Sequence, residues 1–90
     1  GSVLAASIPI ESLTDWVVAR RRLENVAIVE RIDLVLISRN EAFINIYYLG
    51  EDQQLTVALA QADMKLVQEE GSWTLNLNRI SGVRKNNKKN

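Results

Sequence analysis

The chain is predicted to fold as an α+β domain, with two helices on one face of an antiparallel sheet. Three observations predict it. Residues 29–38 and 42–49 are β-branched and aromatic runs of strand length, separated by the polar Arg39-Asn40-Glu41, and read as an antiparallel hairpin. Leu55, Ala58, Leu59 and Ala62 recur at the spacing of a helix with one buried stripe. Residues 64–69 and 72–78 flank Glu70-Gly71, a two-residue turn with glycine at its second place. The chain has 90 residues, enough for one domain and too few for two.

The elements are justified in order. Gly1-Ser2 reads as a tag remnant, and residues 1–6 are expected to lie outside the fold as tag or linker. A short first strand is expected over 7–10, where Pro9 suits a strand end or an edge because it donates no ladder hydrogen bond. Ser12 is a candidate N-cap, with Asp15 three residues on making a pair that resembles a capping box. The helix should run from Leu13 to Leu23 or Glu24 and stop at Asn25, with Leu13, Trp16, Val17 and Leu23 on its buried face. Ala19 and the stem of Arg20 fall at the margins of that face. Arg20, Arg21 and Arg22 sit in the last turn, where cations oppose the negative helix end, and Arg21 and Arg22 are expected to face water.

In the first hairpin strand Ile32, Leu34 and Leu36 should share one face, and Asp33, Val35 and Ile37 the other. In the second, Ile44, Ile46 and Tyr48 alternate with Phe43, Asn45, Tyr47 and Leu49. Neither strand has a purely polar face, so the side away from the helices is expected to be partly apolar. Gly50 ends the strand, and Glu51 or Asp52 caps a second helix over 53–62. In the last strand Trp73, Leu75 and Leu77 alternate with Thr74 and Asn76. A single domain is expected over 7–80, and beyond it a disordered basic tail over 81–90, rich in lysine and asparagine. The order is that of a ferredoxin-like β-α-β-β-α-β sandwich with an extra C-terminal strand.

Composition removes whole classes of chemistry. There is no cysteine and no histidine, hence no disulfide, no thiolate metal site and no imidazole base or ligand. The acidic neighbours Glu51-Asp52 and Glu69-Glu70 fall at a helix start and in a turn, where both carboxylates are solvated rather than split in pKa. No catalytic, cofactor-binding or metal-binding residue is therefore assigned. The four glycines form no phosphate-binding run. Formal net charge is zero, yet residues 1–83 hold seven basic and eleven acidic residues, and four bases crowd the last seven positions. An acidic body argues against nucleic acid as partner, although the element order is also that of the RNA-recognition motif and Phe43 and Tyr47 share a strand face. The signature of that motif, a base and a glycine among closely spaced aromatics, is absent from residues 41–47. No apolar run is long enough for a membrane span.

A set of motifs also resembles a known family. These are Trp16-Val17-Val18-Ala19-Arg20-Arg21-Arg22-Leu23, then Tyr48-Leu49-Gly50, then Leu55-Thr56-Val57-Ala58-Leu59-Ala60-Gln61, and finally Leu66, Gly71, Trp73 and Leu75. The layout, spanning residues 13–77, resembles the C-terminal part of bacterial proteins of the domain of unknown function 2066 family. The resemblance implies an exported envelope protein of a Gram-negative bacterium and a periplasmic setting, and it transfers no catalytic residue. The residues themselves suit the cytoplasm equally.

The function expected from these readings is non-catalytic protein interaction through the open sheet face or a sheet edge. Phe43, Asn45 and Tyr47 are the expected contacts, with Arg21 and Arg22 as an electrostatic aid. The partner is a protein, or a second copy of the chain. The alternatives are a small-ligand regulatory domain acting as a dimer, and RNA binding on the aromatic strip.

Overall fold

The computed structural model describes residues 1–77. The expected tail over 81–90 lies outside the described residues. Seven elements succeed one another: β1 (Ser2–Pro9), α1 (Leu13–Glu24), β2 (Val29–Ile37), β3 (Glu41–Tyr48), α2 (Asp52–Gln61), β4 (Met64–Glu69) and β5 (Ser72–Leu77). The class is α+β, as the sequence predicts. The sheet is not the plain antiparallel one. Its order is β2-β3-β1-β5-β4, and β5 lies parallel to β1 while every other pairing is antiparallel. In a ferredoxin-like sheet the strand after the second helix would lie beside β1. Here the tight turn after β4 sends β5 into that place, and β4 is displaced to the edge.

The first strand corrects a second expectation. Residues 2–6 are not a linker: β1 starts at Ser2, and all eight of its residues pair with β3. Leu4, Ala6 and Ile8 are buried on one side, which is the alternation of a half-covered central strand.

Helix α1 has the expected bounds and buries Trp16, Ala19 and Leu23. Leu13 and Val17, expected on the buried face, are 66% and 46% exposed. Ala19 takes the central place instead, because a small side chain lets the helix lie close to the sheet. The cap differs in detail. The Ser12 side chain makes no capping bond, and the Asp15 carboxylate accepts from the Glu11 N–H at 2.7 Å. Asn25 closes the helix: its N–H donates to the Arg22 carbonyl, and the Val26 N–H donates to that of Leu23.

Helix α2 starts just after a glycine that the geometry requires. Gly50 has φ +94°, and a Cβ there would run into Gln54 Oε1. That oxygen accepts the Glu51 N–H at 2.8 Å, completing a capping box. Leu55 and Leu59 are fully buried, with Ala58 and Ala62 packed at the border of the core. The β4–β5 turn has positive φ at both Glu70 (51°) and Gly71 (85°), the geometry of a type I′ hairpin turn.

One core unites the layers. Ile8, Ile44, Ile46, Met64 and Leu75 from the sheet meet Leu23, Leu55 and Leu59 from the helices, all of them essentially inaccessible. Both helices therefore cover the same sheet face. Each such side chain contributes about 1.5–3 kcal/mol on burial, against a net stability of only about 5–15 kcal/mol for a domain. Among the described residues no helix is long and apolar enough to cross a membrane.

Leu59→Ala should lower stability in urea unfolding by about 2–5 kcal/mol, the range for a fully enclosed leucine. Gly50→Ala should cost about 1–3 kcal/mol through its left-handed backbone and the crowding of Gln54.

Candidate functional site

Among the described residues nothing covers the sheet face opposite the helices, and the residues of that face are given by the pairing registers. Leu36 pairs with Phe43, Phe43 with Ser7, Ser7 with Thr74, and Thr74 with Val67. These five make a transverse row from edge to edge with no charge in it. The row on one side runs from Asp33 through Asn45 and Ala5 to Ser72 and Glu69. On the other side Glu41 pairs with Pro9, and Asn76 with Lys65. Arg31, Tyr47 and Val3 lie beyond the aspartate row. Across the three central strands, Glu41 is the one charged residue on this face among the described residues; the others stand on the edge strands β2 and β4.

Two β-bulges shape the β2 side. The register shifts between Val29 and Arg31 and again between Leu34 and Leu36. Each shift puts an extra residue against one on β3 and exchanges the two faces for the remainder of the strand. Ile32 and Leu34 thus point with Ile46 and Ile44 to the helix side, whereas Leu36 joins Phe43 on the open face and Ile37 joins Ala42 on the covered one. This corrects the expected grouping of Ile32, Leu34 and Leu36. Val35, the extra residue of the second bulge, lines a shallow groove on the open face with Ala5, Ser7, Phe43 and Asn45. Val35 and Leu36 are 61% and 59% exposed. The sequence reading set Val35 with Asp33, on the face that proves open, and missed Leu36 there. The signal was four successive apolar residues, Leu34 to Ile37, which a regular half-buried strand does not need.

Phe43, Asn45 and Tyr47, singled out from the sequence, do share the open face, half-buried and in line along β3. At the rim the Arg31 guanidinium lies over the Tyr47 ring, 4.1 Å from its centroid. It also grips Asp33 with two bonds, Nε to Oδ1 at 3.2 Å and Nη2 to Oδ2 at 3.3 Å. Contact with Tyr47 first, and the Asp33 charge second, push the Arg31 pKa above its ordinary value. Both members of the ion pair are exposed, so the cluster fixes the Tyr47 ring more than it stabilises the fold.

The arginines are elsewhere. Arg21 and Arg22 belong to α1, in the layer on the far side of the sheet. They cannot assist a partner seated on Phe43 and Tyr47. Arg21 is exposed as expected, but Arg22 is half-buried beside Asp15, Val18 and Leu77, and its Nη1 is enclosed with no hydrogen-bond partner among the described residues. Arg20 pairs with Glu24 at 3.1 Å across one helical turn. The acidic neighbours take structural places: Glu51 caps α2, Asp52 stands in its first turn, Glu69 ends β4 and Glu70 forms the turn. Among the described residues no group of three or more acidic side chains is placed to hold a metal ion.

Deleting Val35 removes the extra residue but keeps every pair that flanks it between β2 and β3. The variant should fold with an unchanged circular-dichroism spectrum. Its straightened edge should aggregate sooner, read by light scattering at equal concentration. No protein-family model, no curated protein and no solved structure matches this chain.

Proposed function

We propose that this domain is a non-catalytic protein-interaction module that docks through the open face of its sheet. The observation that carries the reading is the uncharged row Leu36, Phe43, Ser7, Thr74 and Val67 that crosses all five strands. Water-facing sheet surfaces are ordinarily polar, and an uncharged strip with aliphatic and aromatic ends and a charged rim fits a partner surface. Phe43 and Tyr47 supply rigid area at low entropic cost, and the Asn45 amide between them supplies a donor and an acceptor that fix orientation. Arg31 and Asp33, already clamped to each other, hold Tyr47 in place at the border. The contact set is thus Phe43, Asn45 and Tyr47 with Val35, Leu36 and Val3, and it leaves out Arg21 and Arg22.

Docking by strand addition is the weaker route. The β2 edge is broken by two bulges within nine residues, and β4 is short and carries Lys65 and Glu69. Both are devices that discourage a further strand. The envelope setting of the module rests on the family resemblance alone.

Phe43→Ser and Tyr47→Ser together should leave the unfolding midpoint within a few degrees of the parent and abolish association through the face. Loss of the cooperative transition would instead show that these rings are core, and would end this reading.

A further inference from the structure

The registers also bear on what covers the face. Lys65 and Glu69 stand on the same edge strand, each two residues from Val67, which ends the uncharged row. At about 3.3 Å per residue each lies roughly 7 Å from that row, on opposite sides of it. A two-fold axis lying along the row in the plane of the interface would exchange these two positions. A second sheet laid on the first about this axis sets each Lys65 over the partner's Glu69. The same operation sets Glu41 over the Asn45 amide, and Phe43, Thr74 and Val67 each over its own copy. In these pairs charge meets opposite charge or a donor and neutral meets neutral, as an isologous contact requires, while Arg31 and Asp33 stay paired with each other.

We infer that the open face is a self-complementary surface and that its occupant is a second copy of this chain. The inference rests on the interaction reading above and names its partner. Size agrees with a weak association. Five strands about 4.8 Å apart and six residues deep give a face of roughly 24 by 20 Å. That is about 480 Å² in projection, below the roughly 600–1,000 Å² per partner of specific stable interfaces and in the range of weak, transient ones. A concentration-dependent dimer in the micromolar range is expected. Packing of this kind aligns the two sheets at about −30°, within reach of the flexible Lys65 and Glu69 side chains.

Charge reversal tests it. Sedimentation velocity from micromolar to near-millimolar concentration should show the parent chain passing from monomer to dimer. Lys65→Glu and Glu69→Lys alone should each weaken the dimer about tenfold, because two pairs across the axis turn repulsive. The double variant K65E/E69K should restore it to near the parent affinity. Phe43→Asp should abolish it, with folding verified by urea unfolding. A parent that stays monomeric throughout overturns the homodimer. The interaction reading then survives if the Phe43→Ser/Tyr47→Ser pair keeps its unfolding midpoint, and falls if it does not. A dimer indifferent to Phe43→Asp and to the single reversals overturns both, since the association would lie elsewhere, on β2 or α1.

Discussion

Two helices cover one face of a five-stranded sheet, and that one-sided contact is the constraint on which everything else here depends. The buried leucines of α1 and α2 press on the isoleucines of β1 and β3, and this layer supplies nearly all the enclosed apolar surface. Among the described residues no further helix lies on the other side. The second face must therefore be soluble by composition or covered by something external. On its three central strands the residues there are neutral apart from Glu41, and the remaining charges stand on the edge strands β2 and β4. Stability is thus carried by the covered face, and the residues of the other face are free of that constraint.

The edges are treated differently from the face. Both edge strands carry features that resist the addition of another strand, the bulges on β2 and the charges on β4. Such edges resist strand addition, while the centre of the face carries only Glu41 as a charge. The bulges also shape that face. By shifting the register they bring Leu36 beside Phe43 and Ile37 beside Ala42, so a run of consecutive apolar residues is shared between the core and the open surface.

Much of the fold is legible because it is written in period and punctuation. Gly50 marks the end of β3, Glu51 and Gln54 mark the start of α2, and Glu70-Gly71 marks the last hairpin. The illegible part depends on distant partners. The alternation of β1 carries little weight while its first residues look like a remnant, and only pairing with β3 reveals them as a strand. Strand order is likewise non-local: nothing in residues 72–77 says that they lie beside β1. The aromatic pair of the open face is legible from alternation along β3. The separation of Arg21 and Arg22 from it follows once α1 is placed on the covered side of the sheet. What the pattern along α1 hides is its exact rotation, since Ala19 rather than Leu13 or Val17 meets the sheet and a small residue gives a weak hydrophobic signal.

The insertion of β5 has a consequence for how the molecule is made. β1 leaves the ribosome ahead of the other strands, yet its outer flank stays unpaired until β5, the last described strand, arrives some seventy residues later. β4 cannot stand in, since it touches the rest of the sheet only through β5. The hairpin of β4 and β5 must close locally and then dock as a unit onto a waiting uncharged strand. Every nascent chain thus passes through a stage with a bare template along the β1 edge of its first three strands, and vectorial synthesis makes that stage last as long as translation of the second half.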